Sequence, residues 1–93
     1  MPSLTKHLNV LVEGGVQCVG FRWATRAQAR VTGVTGFVRN TDEGSVCIEV
    51  EGSEAEVERF VAWCRHGPPS AWVERVTVEP GPVQGFREFD IRF

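Results

Sequence analysis

Residues 7–31, "HLNVLVEGGVQCVGFRWATRAQARV", contain a change from strand to helix periodicity on which the predicted fold depends. Its first part predicts a half-buried strand, because apolar and polar residues alternate there. Glycines then interrupt the pattern and predict a loop. A helix is predicted next, since apolar residues return at helical spacing and Gly33 is a typical stop signal. The strand would bury Leu8, Val10 and Val12, and the helix would bury Phe21, Ala24, Ala27 or Gln28, and Val31.

The rest of the chain predicts a hairpin, a second helix and two more strands. Residues 35–52 read as a hairpin with the turn "TDEG". In residues 53–67, Ser53 and Glu56 form an S-x-x-E capping box at the start of a helix. That helix would bury Val57, Phe60, Val61 and Cys64. Strands are expected over residues 72–78 and 86–93. The order β-α-β-β-α-β plus one strand predicts an α+β sandwich. Both helices would cover one face of a mainly antiparallel sheet of four to five strands.

Composition narrows the class of protein. The 93 residues suffice for one domain, expected to span residues 1–93. Ten Lys and Arg face twelve Asp and Glu, so the net charge of -2 argues against general nucleic-acid binding. The first apolar stretch, "LNVLV", is too short for a signal core or a membrane span. Three cysteines without CxxC spacing argue against a disulfide framework or a zinc site and favour the cytoplasm.

The glycine-rich loop is a candidate anion site. Amides of such a loop and of the following helix N-terminus can bind an anion. Arg22 falls in the first helical turn, where the helix dipole disfavours a cation, so a functional role is indicated. The alternative is a loop that needs glycine for its shape and an arginine that faces solvent. A P-loop is excluded because G-x-x-x-x-G-K-[ST] is absent, and a C-x5-R phosphatase loop because position 24 is alanine.

Two longer motifs resemble one family. "GGVQCVGFR" (residues 14–22) is similar to the acylphosphatase signature G-x-V-Q-G-V-x-F-R. The hairpin resembles the family's second signature, G-[FYW]-[AVC]-[KR]-N-x3-G-x-V-x5-G, through Gly36, Phe37, Val38, Arg39, Asn40, Gly44, Val46 and Gly52. The resemblance implies a ferredoxin-like sandwich that hydrolyses acyl phosphates to a carboxylate and phosphate. It implies no metal, no other cofactor and no phosphoenzyme.

The resemblance also implies roles for individual residues. Arg22 would bind the phosphoryl group and Asn40 would position the attacking water. The phosphate-binding loop would be Gly15, Val16, Gln17, Cys18, Val19 and Gly20, acting through backbone amides. The expected ligands are a small acyl phosphate and inorganic phosphate, as product and inhibitor. The chain is expected to act as a monomer, with no nucleic-acid or membrane partner.

The chain departs from the family pattern at two loop positions. Gly15 stands where Arg or Lys is frequent, and Cys18 stands where glycine is usual. A positive φ at position 18 would strain the cysteine, whereas a negative φ would tolerate it. The Cys18 thiol is either reactive beside the anion site or buried and inert.

Two other functions are compatible with this order of elements. A non-catalytic anion-binding module on the same fold stays open, and an RNA-binding domain is disfavoured by the acidic balance and the lack of an aromatic RNP-type strand. The remaining expectations concern side-chain location. Surface positions are expected for His7 and His66, packing roles for Trp23, Trp63 and Trp72, and positions in or near the core for Cys47 and Cys64.

Overall fold

A five-stranded sheet and two helices make up the computed structural model, which describes residues 4–93. The predicted order of elements is confirmed. The elements are β1 (Lys6–Gly15), α1 (Phe21–Thr32), β2 (Thr35–Asn40), β3 (Val46–Gly52), α2 (Glu54–Cys64), β4 (Trp72–Pro80) and β5 (Phe89–Arg92).

The strands lie in the order β4-β1-β3-β2-β5. All neighbouring pairs are antiparallel except β2 and β5, which run parallel. Both helices contact each other, and each also packs on the sheet, α1 on β2 and β5 and α2 on β1 and β3. The predicted ferredoxin-like sandwich, with a mainly antiparallel sheet and helices on one face, is therefore confirmed.

The core forms between the helices and the inward side of the central strands. Alternate residues of β1 and β3 supply it, as period-two patterning requires, and Val10 pairs directly with Ile48. Helix α2 buries all four predicted residues. Its capping box is also present, since the Ser53 amide donates to Glu56 Oε1 at 2.8 Å and Ser53 Oγ accepts from the Glu56 amide at 3.3 Å.

Helix α1 buries a different stripe from the predicted one. The buried residues are Phe21, Thr25, Ala29 and Thr32, while Val31 is 79% exposed. Threonine fits this inward side because its hydroxyl can bond to the helix itself. Thr25 donates to the Phe21 carbonyl at 2.7 Å and Thr32 to the Gln28 carbonyl at 3.0 Å. The prediction is confirmed for Phe21 and wrong for Val31, because it followed apolar residues alone and did not include the two threonines.

The prediction of a surface His7 is also wrong. His7 is only 3% exposed, and its Nδ1 lies 2.7 Å from Glu51 Oε2. Glu51 also accepts backbone amides from the connection between β4 and β5, at Gln84, Gly85 and Phe86. Burial alone would raise the pKa of Glu51, but these hydrogen bonds outweigh burial and hold the pKa below its ordinary value of 4.5. The pair thus fastens that connection to the outer side of the sheet.

Of the other expectations for side-chain location, some are confirmed and some are wrong. Trp63 packs against Phe21 with ring centroids 5.7 Å apart, as expected. Trp23 and Trp72 are exposed, so their predicted packing role is wrong. His66 is exposed and Cys64 is buried, both as predicted, and Cys47 is half-buried. Burial raises the pKa of the Cys64 thiol to about 12.

Candidate active site

The loop between β1 and α1 offers backbone donors. In residues 4–93, the amides of Gln17–Gly20 donate to no backbone or side-chain acceptor. Buried or half-buried amides normally find a partner. These donors are therefore available to an external acceptor such as an anion.

The N-terminus of α1 is also uncompensated. Gly20 caps it in the left-handed conformation, with φ 74°, and has no side chain that could accept a hydrogen bond. The first turn contains no acidic residue. Helix α2 differs, because it has a full capping box and Glu54 and Glu56 in its first turn. The positive end of the α1 dipole thus faces the loop without a carboxylate to neutralise it.

Cys18 adopts the conformation that favours glycine. Its φ is 61°, and it is the one non-glycine residue with positive φ among those described. Because a Cβ in this region meets the neighbouring carbonyl, the residue is strained. Its thiol is exposed, which excludes the buried alternative.

A side-chain clamp joins this loop to the β2–β3 turn. Gln17 Nε2 donates to the carbonyl oxygens of Thr41 and Ser45, both at 2.8 Å. The turn has its own bond from the Thr41 amide to the Ser45 carbonyl at 2.9 Å. Asn40, the last residue of β2, immediately precedes Thr41. The clamp therefore fixes the loop relative to Asn40.

The structure brings Arg22 and Asn40 to one cleft of about 270 Å³. Of the predicted loop residues, Val16, Cys18 and Gly20 line it as well. The lining is completed by Phe21 and Trp23, so the described residues that line the cleft include one cationic side chain and no carboxylate. This charge distribution suits an anionic ligand.

The other three predicted loop residues do not line the cleft. Gly15 is the last residue of β1 and pairs with Trp72. Gln17 faces the β2–β3 turn, and Val19 packs against the core. Any contribution from these residues to anion binding would come from the backbone.

The Arg22 guanidinium rests against the end of the chain. Nη1 donates to the Arg92 carbonyl at 3.2 Å, and Cζ lies 4.6 Å from the centroid of the Phe93 ring. These contacts limit the conformations of a long side chain that carries considerable rotamer entropy. Neither contact was predicted, because each joins residues far apart in sequence.

The described residues show neither a metal-binding cluster nor a membrane-spanning helix. From Leu4 onward, no three His, Cys, Asp or Glu side chains form a set that could hold a metal ion. Across the same residues, neither helix combines the length and apolar composition needed to cross a bilayer.

Comparisons with known proteins point to one family. The family model described as Acylphosphatase matches residues 8–91. An acylphosphatase of Thermotoga maritima is 46% identical over 88 residues, which cover 95% of this chain and 98% of the relative. An acylphosphatase structure from Coxiella burnetii superposes with a TM-score of 0.91 at 32% identity, covering 95% of this chain and 93% of the other. The Bacillus subtilis acylphosphatase crystal structure gives a TM-score of 0.91 at 31% identity, covering 97% and 100%.

Proposed function

This chain belongs to the acylphosphatase family, and we propose that it hydrolyses the carboxyl–phosphate bond of small acyl phosphates without a metal ion. The products are a carboxylate and inorganic phosphate. The observation that carries the proposal is the cleft shared by Arg22 and Asn40, beside a loop with free amides.

Hydrolysis of an acyl phosphate requires few catalytic groups. An acyl phosphate is already activated, because its leaving group is a stabilised carboxylate. Catalysis can then come from positioning and charge stabilisation, without a strong acid for the leaving group. The cleft offers donors and a cation, and among residues 4–93 its lining includes no titratable acid or base besides the Cys18 thiol.

Arg22 and the loop amides would hold the phosphoryl oxygens. A guanidinium presents several N–H donors in a plane, which matches two oxygens of a phosphate at once. The amides of Gln17–Gly20 and the α1 N-terminus add further donors. All of them would bind more strongly as negative charge builds on the phosphoryl group in the transition state.

Asn40 would orient the attacking water. Its side-chain carbonyl accepts and its NH2 donates, so both can hold one water in line with the scissile bond. The amide does not act as a base at neutral pH. The proton of the water therefore passes to a phosphate oxygen or to solvent.

The proposal extends to the protein's setting. We infer a monomer that acts in the cytoplasm on small acyl phosphates, with no nucleic-acid partner. The free thiols of Cys18, Cys47 and Cys64 fit a reducing compartment, and the net charge of -2 offers little attraction to a polyanion.

Turnover of benzoyl phosphate, followed by ultraviolet absorbance, tests the activity. The folded protein is expected to hydrolyse it above the spontaneous rate, and dialysis against EDTA should leave the rate intact. No turnover would favour the alternative of a non-catalytic anion-binding module. A large loss that Mg²⁺ or Zn²⁺ restores would refute the metal-free route.

Two variants separate the proposed roles. Arg22→Ala should weaken phosphate inhibition and lower kcat together, since each lost charge-assisted hydrogen bond costs about 1.5–3 kcal/mol. Asn40→Ala should lower kcat by roughly 10²-fold while phosphate still binds. Arg30→Ala, an exposed arginine on the same helix, is the matched control. Unchanged phosphate affinity in Arg22→Ala, or normal turnover in folded Asn40→Ala, would contradict the assignment.

A further inference from the structure

Trp23 is an exposed aromatic side chain at the mouth of the cleft. It lines the cleft beside Arg22, yet 56% of its surface is accessible to solvent. Large aromatic residues usually bury most of their area in cores or interfaces. Packing within the described chain therefore does not account for Trp23.

The other apolar residues of the cleft offer a ligand very little surface. Val16 is 1% exposed and Phe21 is 2% exposed, because both belong to the core. Gly20 has no side chain. Trp23, together with the smaller Cys18, thus provides the accessible apolar wall of the cleft.

One face of the Trp23 ring is already occupied. The guanidinium carbon of Arg26 lies over the ring, 4.6 Å from its centroid. Such a cation–π contact holds the indole in one orientation. Because 56% of the surface of Trp23 is exposed, part of the side chain remains accessible to a ligand.

We propose that Trp23 is a specificity-determining residue that contacts the acyl group of the substrate and favours aromatic acyl phosphates. The inference rests on the proposed function, because it takes the loop amides and Arg22 as the phosphate subsite. With the phosphoryl group held there, the acyl group must lie elsewhere in the cleft. Trp23 offers the largest accessible apolar surface, and an aromatic ring gains from stacking against or meeting the edge of an indole.

The test compares two substrates that share the phosphoryl group. Kinetics on benzoyl phosphate and acetyl phosphate are measured for the parent protein, Trp23→Ala and Trp23→Phe. Trp23→Ala should lower kcat/KM for benzoyl phosphate by roughly 5- to 20-fold, the range of aromatic contacts plus lost burial, and change acetyl phosphate by less than about 2-fold. Trp23→Phe should recover part of the benzoyl preference. Val31→Ala, on the outer side of the same helix, is the control and should alter neither substrate.

The readouts distinguish a failed inference from a failed function. An equal fall on both substrates would make Trp23 a support for the phosphate subsite and overturn the inference. No change on either substrate would overturn it too. Inhibition by inorganic phosphate should stay within about 2-fold in Trp23→Ala, because Trp23 is not part of the proposed phosphate subsite. Circular dichroism of the variant checks separately that it is folded. If the parent protein hydrolyses neither substrate, the proposed function fails first and the inference with it.

Discussion

Replacing Gln17 with alanine should loosen the loop from the β2–β3 turn that follows Asn40. The side-chain amide makes both contacts, to the Thr41 and Ser45 carbonyls at 2.8 Å. Alanine removes the two donors together and leaves the backbone of the loop unchanged. The variant therefore isolates the clamp from the amides that are proposed to bind phosphate.

The expected loss of stability follows from what each carbonyl retains. A net hydrogen bond contributes about 0.5–1.5 kcal/mol, and an unsatisfied buried acceptor costs more. The Thr41 carbonyl still accepts from the Gly44 amide at 3.3 Å, and the Ser45 carbonyl from the Thr41 amide at 2.9 Å. Since neither acceptor is orphaned, we expect a loss of about 1–2 kcal/mol in the free energy of unfolding. For a domain of this size, that lowers Tm by roughly 5–15 °C.

Activity should fall by more than stability alone explains. Asn40 directly precedes the clamped turn, and small displacements of a positioning group cost large factors in rate. We expect kcat for benzoyl phosphate to fall about 10-fold or more at a temperature where the variant is fully folded. Urea unfolding followed by circular dichroism gives the stability, and initial rates give kcat.

Two further variants sharpen the result. Gln17→Glu keeps the length of the side chain but has no N–H donor, so it should be at least as damaging as alanine. Gln84→Ala removes an exposed side chain that, within the part of the chain that the structure describes, bonds only to the Pro82 carbonyl at 3.0 Å. It should change the free energy of unfolding by less than about 0.5 kcal/mol. A Gln17→Ala protein with the parent's urea midpoint and kcat would refute the clamp.

Three other predictions concern strain, pH and thiol reactivity. Cys18→Gly should stabilise the protein by about 0.5–1 kcal/mol in urea unfolding, because relief of the left-handed strain exceeds the entropy of glycine, whereas Cys18→Ala keeps a Cβ and should gain nothing. Because the pKa of Glu51 is lowered in the folded protein, its contribution to the free energy of unfolding is present above pH 4.5 and is lost as pH falls through the folded-state pKa. In acid titration, the free energy of unfolding of Glu51→Gln should therefore fall less steeply than that of the parent. The same steepness in both proteins would contradict this. Limiting iodoacetamide should label exposed Cys18 before Cys64, whose thiol is buried with a pKa of about 12. Labelling of Cys18 should inhibit turnover. Mass spectrometry that shows Cys64 labelled first, or full activity with Cys18 labelled, would contradict this prediction.

Local sequence patterns predicted most of the fold. Strand alternation, the capping box of α2 and the stop at Gly33 depend on neighbours in sequence, and all appear in the structure. The failures involve polar residues that are buried with a partner. Thr25 bonds to its own helix, and His7 meets Glu51 only once the sheet has formed. Hydrophobicity patterns predict such residues to be exposed, because the patterns contain no information on the hydrogen-bond partner that the fold supplies.

In the candidate site, too, the sequence identified individual residues but not the contacts between distant segments. The motifs singled out Arg22 and Asn40, and the structure places both at one cleft. The Gln17 side-chain clamp and the Arg92 carbonyl contact were missed, since they join segments that the fold alone brings together. Trp23 was misread for the opposite reason, because an aromatic residue is expected to pack.

The N-terminus of α1 lacks stabilising features that the N-terminus of α2 has. An N-cap side chain is worth about 1 kcal/mol, and an acidic first turn adds a few tenths more. Helix α2 has both features, whereas α1 begins at a left-handed glycine with a cation in its first turn and a strained Cys18 just before it. A carboxylate or hydroxyl at the start of α1 would satisfy the donors that an anion needs and would repel or displace it. The uncapped end of α1 is therefore what a phosphate subsite requires, and a bound phosphate would supply the acceptor that the sequence leaves out.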